Sequence, residues 1–257
     1  MFLSFVPVLT ALGLFLGMLL ALEAGRRLGM RRLARMGPTS LAGFGAVEGA
    51  IFALMGLLVA FTFSGAAARL DARRTQIVDE SNAIGTAWLR LDLLPPEAQP
   101  PLRDLFRRYV DARLEAYRRL PDMEAAKVEM KKAQQLQSQI WAAAVEGSQG
   151  APPSTALLLL PALNQMIDIT TTRSMARRMH PPAVIFVMLG AVCVAGALLA
   201  GYAMAAAGRS WTHTVAFVAV MAVTVWVILD LEFPRAGFIR LDSFDQAMVD
   251  VRQSMGN

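Results

Sequence analysis

Four long apolar runs constrain this chain more than any other feature of its sequence. They cover Phe2–Leu22, Leu41–Ala68, Ala183–Ala207 and Trp211–Leu231. A helix rises about 1.5 Å per residue, so about 20 residues cross the roughly 30 Å hydrocarbon core of a bilayer. Inside lipid the backbone polar groups must be paired within the segment, which a helix achieves. The sequence therefore predicts an all-α, polytopic membrane protein with four transmembrane helices.

The first run has two interpretations, a membrane span or a cleaved signal peptide. No Lys or Arg precedes it, and its length exceeds the roughly 7–15 apolar residues of a signal peptide core. These two features favour a span.

Composition excludes several classes of function. Only 18% of the residues are charged, against about 25% in soluble domains, and the net charge of +5 is typical of a protein facing anionic headgroups. We therefore expect no nucleic-acid partner. With one Cys, Cys193, and two His, the chain offers no disulfide framework and no metal cluster. It also has no phosphate-binding Gly loop and no nucleophile elbow, so we expect no cofactor and no enzyme activity.

Arginines that flank the spans predict the orientation. With both termini in the cytoplasm, the cytoplasmic flanks of the spans carry nine arginines and the outer flanks carry six. Five of these six lie between residues 26 and 35, in the loop that joins spans one and two. The positive-inside rule favours this arrangement. The Arg- and Ala-rich chain looks bacterial, which predicts the inner membrane. The predicted domains are 1–68 with spans one and two, 69–181 as a cytoplasmic region, 182–232 with spans three and four, and 233–257 as a tail.

The cytoplasmic region between spans two and three reads as helices with short breaks. The second span is expected to continue without interruption towards Leu94, where a cluster of prolines predicts a turn. The next helix carries an apolar stripe at spacings of three and four residues, formed by Leu102, Leu105, Phe106, Tyr109, Val110, Leu114 and Tyr117. Asp122 is placed to cap a following helix, and Pro161 is expected to interrupt or bend the last one.

Ionisable residues near the bilayer are the remaining candidates for chemistry. Glu48 lies either at mid-membrane, where a carboxylate indicates function, or at the headgroups if span two begins near Gly49. Asp230 and Glu232 are predicted to form an interfacial cap with Arg235 at the end of span four.

Two weaker signals concern contacts between helices. Asp168, on a predicted helix, either pairs with Arg173 or lies on a solvated face. The pairs Gly13/Gly17 and Gly45/Gly49 have the spacing that permits close approach of two membrane helices.

The exit of the second span carries a family resemblance. From Gly56 to Arg73 it reads GLLVAFTFSGAAARLDAR. This resembles the bestrophin pattern, in which a pore-lining helix ends in an aromatic-rich turn, an Arg and an acidic-Ala-Arg group. Three further motifs, Glu48–Phe61, Asp79–Ala87 and Leu229–Gly237, make nearly the whole chain similar to the bacterial bestrophin-like family DUF4239.

The resemblance implies a pentameric anion channel in the lipid bilayer, with its termini and middle region in the cytoplasm. Counting back from Arg69, the positions that match the apolar constriction of bestrophins are Phe61, Leu57 and Ala53. They recur every four residues and share a helix face, and an apolar constriction can gate by dewetting. The alternative is that this face packs against neighbouring helices.

The chain also departs from the bestrophin pattern. Leu70 and Asp71 stand where paired aromatic residues usually follow the Arg, and Ala53 is small for a constriction. The acidic calcium cluster of animal bestrophins has no counterpart, so calcium gating is not expected. Two alternative functions stay open: a non-conducting sensor or scaffold whose cytoplasmic helices bind a partner, and a membrane enzyme that uses Glu48 or Asp230.

Overall fold

The chain is all-α, as the apolar runs predict. The computed structural model describes residues 6–37, 45–120, 122–206, 210–234, 238–239 and 241–256, in which there are eight α-helices and no strand. The helices are α1 (Val6–Met36), α2 (Gly45–Arg90), α3 (Gln99–Arg118), α4 (Met123–Gln149), α5 (Pro153–Ala176), α6 (Ala183–Ala203), α7 (Trp211–Glu232) and α8 (Asp242–Ser254). Among the described residues, α1, α2, α6 and α7 are long and apolar enough to cross a membrane.

The first helix is longer than its apolar run. It continues past Leu22 to Met36 and ends at Gly37, whose φ of 82° places it in the left-handed region and whose amide donates to the Leu33 carbonyl oxygen at 2.9 Å. This is a glycine C-cap, with Gly supplying a conformation that L-residues avoid. The arginines between 26 and 35, which the sequence placed in the connection between spans one and two, are therefore helical.

Two compact units make up the chain. Unit 1 comprises Met1–Leu70 and His180–Ile239, and unit 2 comprises Asp71–Met179 and Arg240–Asn257. The boundary falls inside α2, which is one continuous helix of 46 residues. The expectation that span two continues without interruption is confirmed.

In unit 1, α1 packs on α6 and α7. The contact with α6 is backbone to backbone: a Cβ atom built on Gly25 would lie 1.9 Å from the Leu198 carbonyl oxygen, and one built on Gly201 would lie 1.9 Å from that of Leu22. Small residues thus permit the close approach. A Cβ on Gly13, Gly17, Gly45 or Gly49 would meet no described atom within 4 Å, so these four glycines make no such close approach within the described part of the chain.

One side of α2 packs inside unit 1. The Met55 sulfur lies 3.3 Å from where a Cβ of Gly196 on α6 would stand, and the Phe52 ring meets Phe217 of α7 edge-on with centroids 6.2 Å apart. Ala66 and Leu70 continue the buried side.

Unit 2 has its core around α3, which packs on α4 and α8, while α4 packs on α5. The predicted apolar stripe on α3 is confirmed. Leu105 is partly buried against this core, and the other six members of the stripe are buried: Leu102, Phe106, Tyr109, Val110, Leu114 and Tyr117. Helix α8 lies in the segment that the sequence assigned to a tail. Met248 of α8 and Met255, which directly follows this helix, are buried and join this core.

Local signals in unit 2 were mostly correct. Asp122 caps α4, its Oδ1 accepting from the amides of Glu124 and Ala125 at 3.1 Å each. Pro161 lies within α5, which runs from Pro153 to Ala176 without interruption. Of the two outcomes expected at this proline, an interruption is therefore excluded.

Candidate functional site

The face of α2 that carries the candidate constriction is exposed within the chain. Ala53, Leu57 and Phe61 are all exposed, with 52% of Leu57 and 67% of Phe61 accessible. At 100° per residue this face lies on the side of the helix opposite the buried Met55 and Ala66. The three residues therefore do not pack into the described helices of their own chain.

Glu48 lies in the first turn of α2, which begins at Gly45. It is half-buried, and an acidic side chain in the first turn of a helix interacts favourably with the amide end of the helix dipole. Its position along the helix is thus near the start of the apolar segment.

The opposite end of the apolar part of α2 carries a buried ion pair. Glu232, the last residue of α7, is fully buried and accepts from Arg69 Nε at 2.9 Å and from Arg69 Nη2 at 2.7 Å. His180, just before α6, places its Nδ1 2.9 Å from Glu232 Oε1 and stacks on the Phe233 ring at 4.7 Å. The cluster ties together the ends of three membrane-crossing helices.

Asp230, two residues before Glu232 on α7, has a different role. It is 1% exposed, and its two carboxylate oxygens accept from the Phe238 amide at 3.1 Å each, while Oδ2 also accepts from the Ile239 amide at 2.8 Å. These bonds hold Phe238 and Ile239 against the end of α7. Arg235, predicted to share a cap with Asp230 and Glu232, lies outside the described residues.

A second buried charge cluster lies in unit 2. Glu80 on α2 is fully buried and receives Arg113 Nε at 2.6 Å, Arg113 Nη2 at 3.0 Å, Tyr117 Oη at 3.2 Å and Arg173 Nη1. Burial alone would raise the pKa of Glu80, but the two guanidiniums outweigh it and lower the pKa from 4.5 to about 2. Arg173 therefore pairs with Glu80, and Asp168, its suggested partner, is exposed.

These groups hold separate parts of the chain together. Glu80, Asp230 and Glu232 each accept hydrogen bonds from two or more donors that lie far away in sequence or beyond the end of their own helix. Among the described residues, no group of three or more His, Cys, Asp or Glu could hold a metal ion.

Four apolar helices with charged clusters at their ends define a multi-pass membrane protein. The sequence model of the bestrophin-like domain matches residues 24–243, which is most of the chain. The chain belongs to the bestrophin-like family, as its motifs indicated. No curated protein matches it, and no solved structure does.

The structure explains the motifs that carried the resemblance and adds residues that sequence reasoning missed. In the motif Asp79–Ala87, Glu80 is the anchor of the unit 2 core, and in Leu229–Gly237 the two acidic residues bind Arg69 and the backbone of the following turn. His180 and Arg113 were not singled out. A solitary His before two prolines and an Arg on an otherwise charged helix give no local signal of a distant carboxylate.

Proposed function

We propose that the protein is a homo-oligomeric ion channel whose conduction pathway runs along the exposed face of α2. The observation that carries the proposal is the position of Ala53, Leu57 and Phe61 on the side of α2 that the chain leaves open. Membership of the bestrophin-like family supports the choice of α2 as the pore helix.

The burial of the four apolar helices supports the same choice. Of the most apolar 18-residue stretch of each helix, 11% is buried within the chain in α2, 17% in α1, 22% in α6 and 39% in α7. A helix packed in this way needs lipid, another copy of the chain or a water-filled pathway against its open side. In a ring of copies with α2 innermost, Leu57 and Phe61 would form successive apolar rings that gate by dewetting.

The ion pair at the end of the pathway supports a fixed orientation of α2. Arg69 holds three hydrogen bonds to Glu232, and breaking such a buried pair by removing one partner costs about 3–5 kcal/mol. Together with Met55 and Phe52 on the packed side, this pair keeps α2 from rotating about its axis. The same face is thereby presented by every copy.

The family resemblance points to anions as the permeant species. The exposed carboxylates Asp71 and Asp79 on α2 are of the type that favours cations when they line a pore. The reversal potential measured under a salt gradient shows whether anions or cations permeate. Following the family resemblance, we expect an anion-selective channel.

Planar-bilayer recording of the purified protein tests the proposal. Truncating the apolar rings with Leu57→Ala or Phe61→Ala widens the constriction and should raise the unitary conductance. Leu16→Ala on α1 is the matched control, because Leu16 is 58% exposed and its truncation removes the same atoms as Leu57→Ala. It should leave the conductance unchanged.

Two results would contradict the channel. One is a wild-type protein that conducts ions of neither sign; the other is a folded Leu57→Ala protein with wild-type currents. Crosslinking followed by mass spectrometry addresses the scaffold alternative, for which a monomer or dimer bound to a stable foreign partner is the expected finding.

A further inference from the structure

Unit 1 contains a mainly apolar cavity of about 220 Å³ between α1, the end of α6 and the start of α7. A cavity holds one water molecule once it offers roughly 10–15 Å³ to a water-sized probe, so this one has room for the headgroup of a lipid. Its apolar wall is formed by Leu19, Leu20 and Leu22 on α1, by Met204 just after α6 and by Trp211 on α7.

The cavity lies where three apolar segments of the chain end. The first apolar run stops at Leu22, the third stops at Ala207, and the fourth begins at Trp211. Glu23 and Arg26 follow Leu22 on α1 and also line the cavity. Trp211 is 56% exposed, and Trp is enriched where the hydrocarbon of a bilayer meets the headgroups. We therefore expect the cavity to lie at the level of the lipid headgroups.

Arg26 brings to this wall a donor that lacks an acceptor. Its Nε is buried and forms no hydrogen bond within the described part of the chain. The carboxylate of Glu23, one turn earlier, accepts instead from Arg27 Nε at 2.9 Å. The Thr214 hydroxyl, on the opposite wall, donates to the Ser210 carbonyl oxygen at 3.0 Å. Buried donors are normally paired, so an oxygen of a ligand beside Arg26 would satisfy one that is not.

The chemistry of the wall suits an anionic phospholipid. Glu23, Arg26 and Arg27 carry one negative and two positive charges, which favours an anion at the polar end of the cavity. Guanidinium binds phosphate oxygens in a bidentate manner. Towards the other end, Leu16 and Leu20 are 58% and 73% exposed and lie one turn apart on one face of α1, where acyl chains can pack. A soluble anion would use only the polar end.

We propose that this cavity binds the phosphate group of an anionic glycerophospholipid. Arg26 donates to the phosphate oxygens, and the acyl chains lie along Leu16 and Leu20. The proposal is independent of ion conduction, because none of the residues that line the cavity belongs to α2.

Native mass spectrometry of the delipidated full chain in a sugar detergent, titrated with phosphatidylglycerol, tests the site. We expect saturable binding that Arg26→Gln weakens about ten- to a hundredfold, the range for a hydrogen bond to a charged group. Arg31→Gln is the matched control, because Arg31 is exposed on the same helix and absent from the cavity wall. It loses the same charge and should bind the lipid as the wild type does.

Two further measurements protect the test against loss of folding. Diacylglycerol has the same acyl chains without the phosphate, and it should bind the wild type at least tenfold more weakly than phosphatidylglycerol does. Arg26→Lys keeps the charge and loses the planar fork, so its affinity for phosphatidylglycerol should lie between those of the wild type and Arg26→Gln.

Four results would overturn the proposal. The first is a wild type without saturable binding of phosphatidylglycerol. The second is equal affinity in folded Arg26→Gln and Arg31→Gln, which is the result of a general attraction between headgroups and a basic helix. The third is diacylglycerol that binds as tightly as phosphatidylglycerol. The fourth is inorganic phosphate that binds as tightly as the lipid, which would assign the site to a soluble anion.

Discussion

Replacing Glu80 with Gln should cost unit 2 a large part of its stability. The carboxylate is fully buried among Arg113, Arg173 and Tyr117, and its pKa falls from 4.5 to about 2. One pKa unit corresponds to about 1.4 kcal/mol, so the difference amounts to about 3 kcal/mol at neutral pH. Glu80→Gln resembles the protonated carboxyl and removes the charge of Glu80 opposite Arg113 and Arg173, a loss that this figure already contains.

The pH dependence has a defined sign. Because the folded-state pKa lies below the unfolded one, the contribution of Glu80 is fully present above about pH 4.5 and is lost as the pH falls towards 2. The difference in stability between the wild type and Glu80→Gln should therefore be largest at neutral pH and should narrow below pH 4.5.

Urea unfolding of the full chain in detergent measures this difference, with hydrogen exchange of α3 and α5 peptides as the readout for unit 2. Glu115→Gln on α3 is the matched control, because Glu115 forms a partly exposed pair with Arg119 at i,i+4 and such pairs contribute about 0.3–0.5 kcal/mol. Equal losses in the two variants, or a difference that stays constant down to pH 2, would refute the reasoning.

Two further predictions concern unit 1. Gly25→Ala should lower the thermal unfolding midpoint in detergent by an amount equivalent to about 1–3 kcal/mol, because the new methyl group meets the Leu198 carbonyl oxygen at 1.9 Å. Gly17→Ala should leave the midpoint unchanged, because its methyl group meets no described atom within 4 Å. Equal midpoints for the two variants would contradict the close contact of α1 and α6. Glu232→Gln and Arg69→Gln should each destabilise the protein by about 3–5 kcal/mol. In a double-mutant cycle, the double variant should lose less stability than the sum of the two single losses. Strict additivity would show that the two side chains do not interact.

The sequence was sufficient for features that depend on local pattern. Uninterrupted apolar length predicted the four spans, helical spacing predicted the buried stripe of α3, and a carboxylate after Pro121 predicted the cap of α4. Each of these depends on residues a few positions apart, so the information lies within one segment.

The features that the sequence did not predict depend on distant partners. Glu80 is 33 residues from Arg113 and 93 from Arg173, and nothing near any of them indicates the pairing. Likewise, many glycines share the spacing that allows close approach, and only the packing of α1 on α6 selects Gly25 and Gly201.

Helix boundaries failed for a related reason. The charged second half of α1 looked like a loop because the apolar run stops at Leu22, although no proline occurs between Leu22 and Gly37. Helix α8 is short and largely polar, and its buried side forms where it packs on other helices such as α3.

Electron microscopy of single particles of the purified protein bears most directly on the proposed pore. We expect a closed ring of identical subunits, five by family resemblance, with α2 nearest the symmetry axis and Leu57 and Phe61 narrowing the central passage. A particle with one copy of the chain, or a ring in which α2 faces the surrounding detergent, would contradict it.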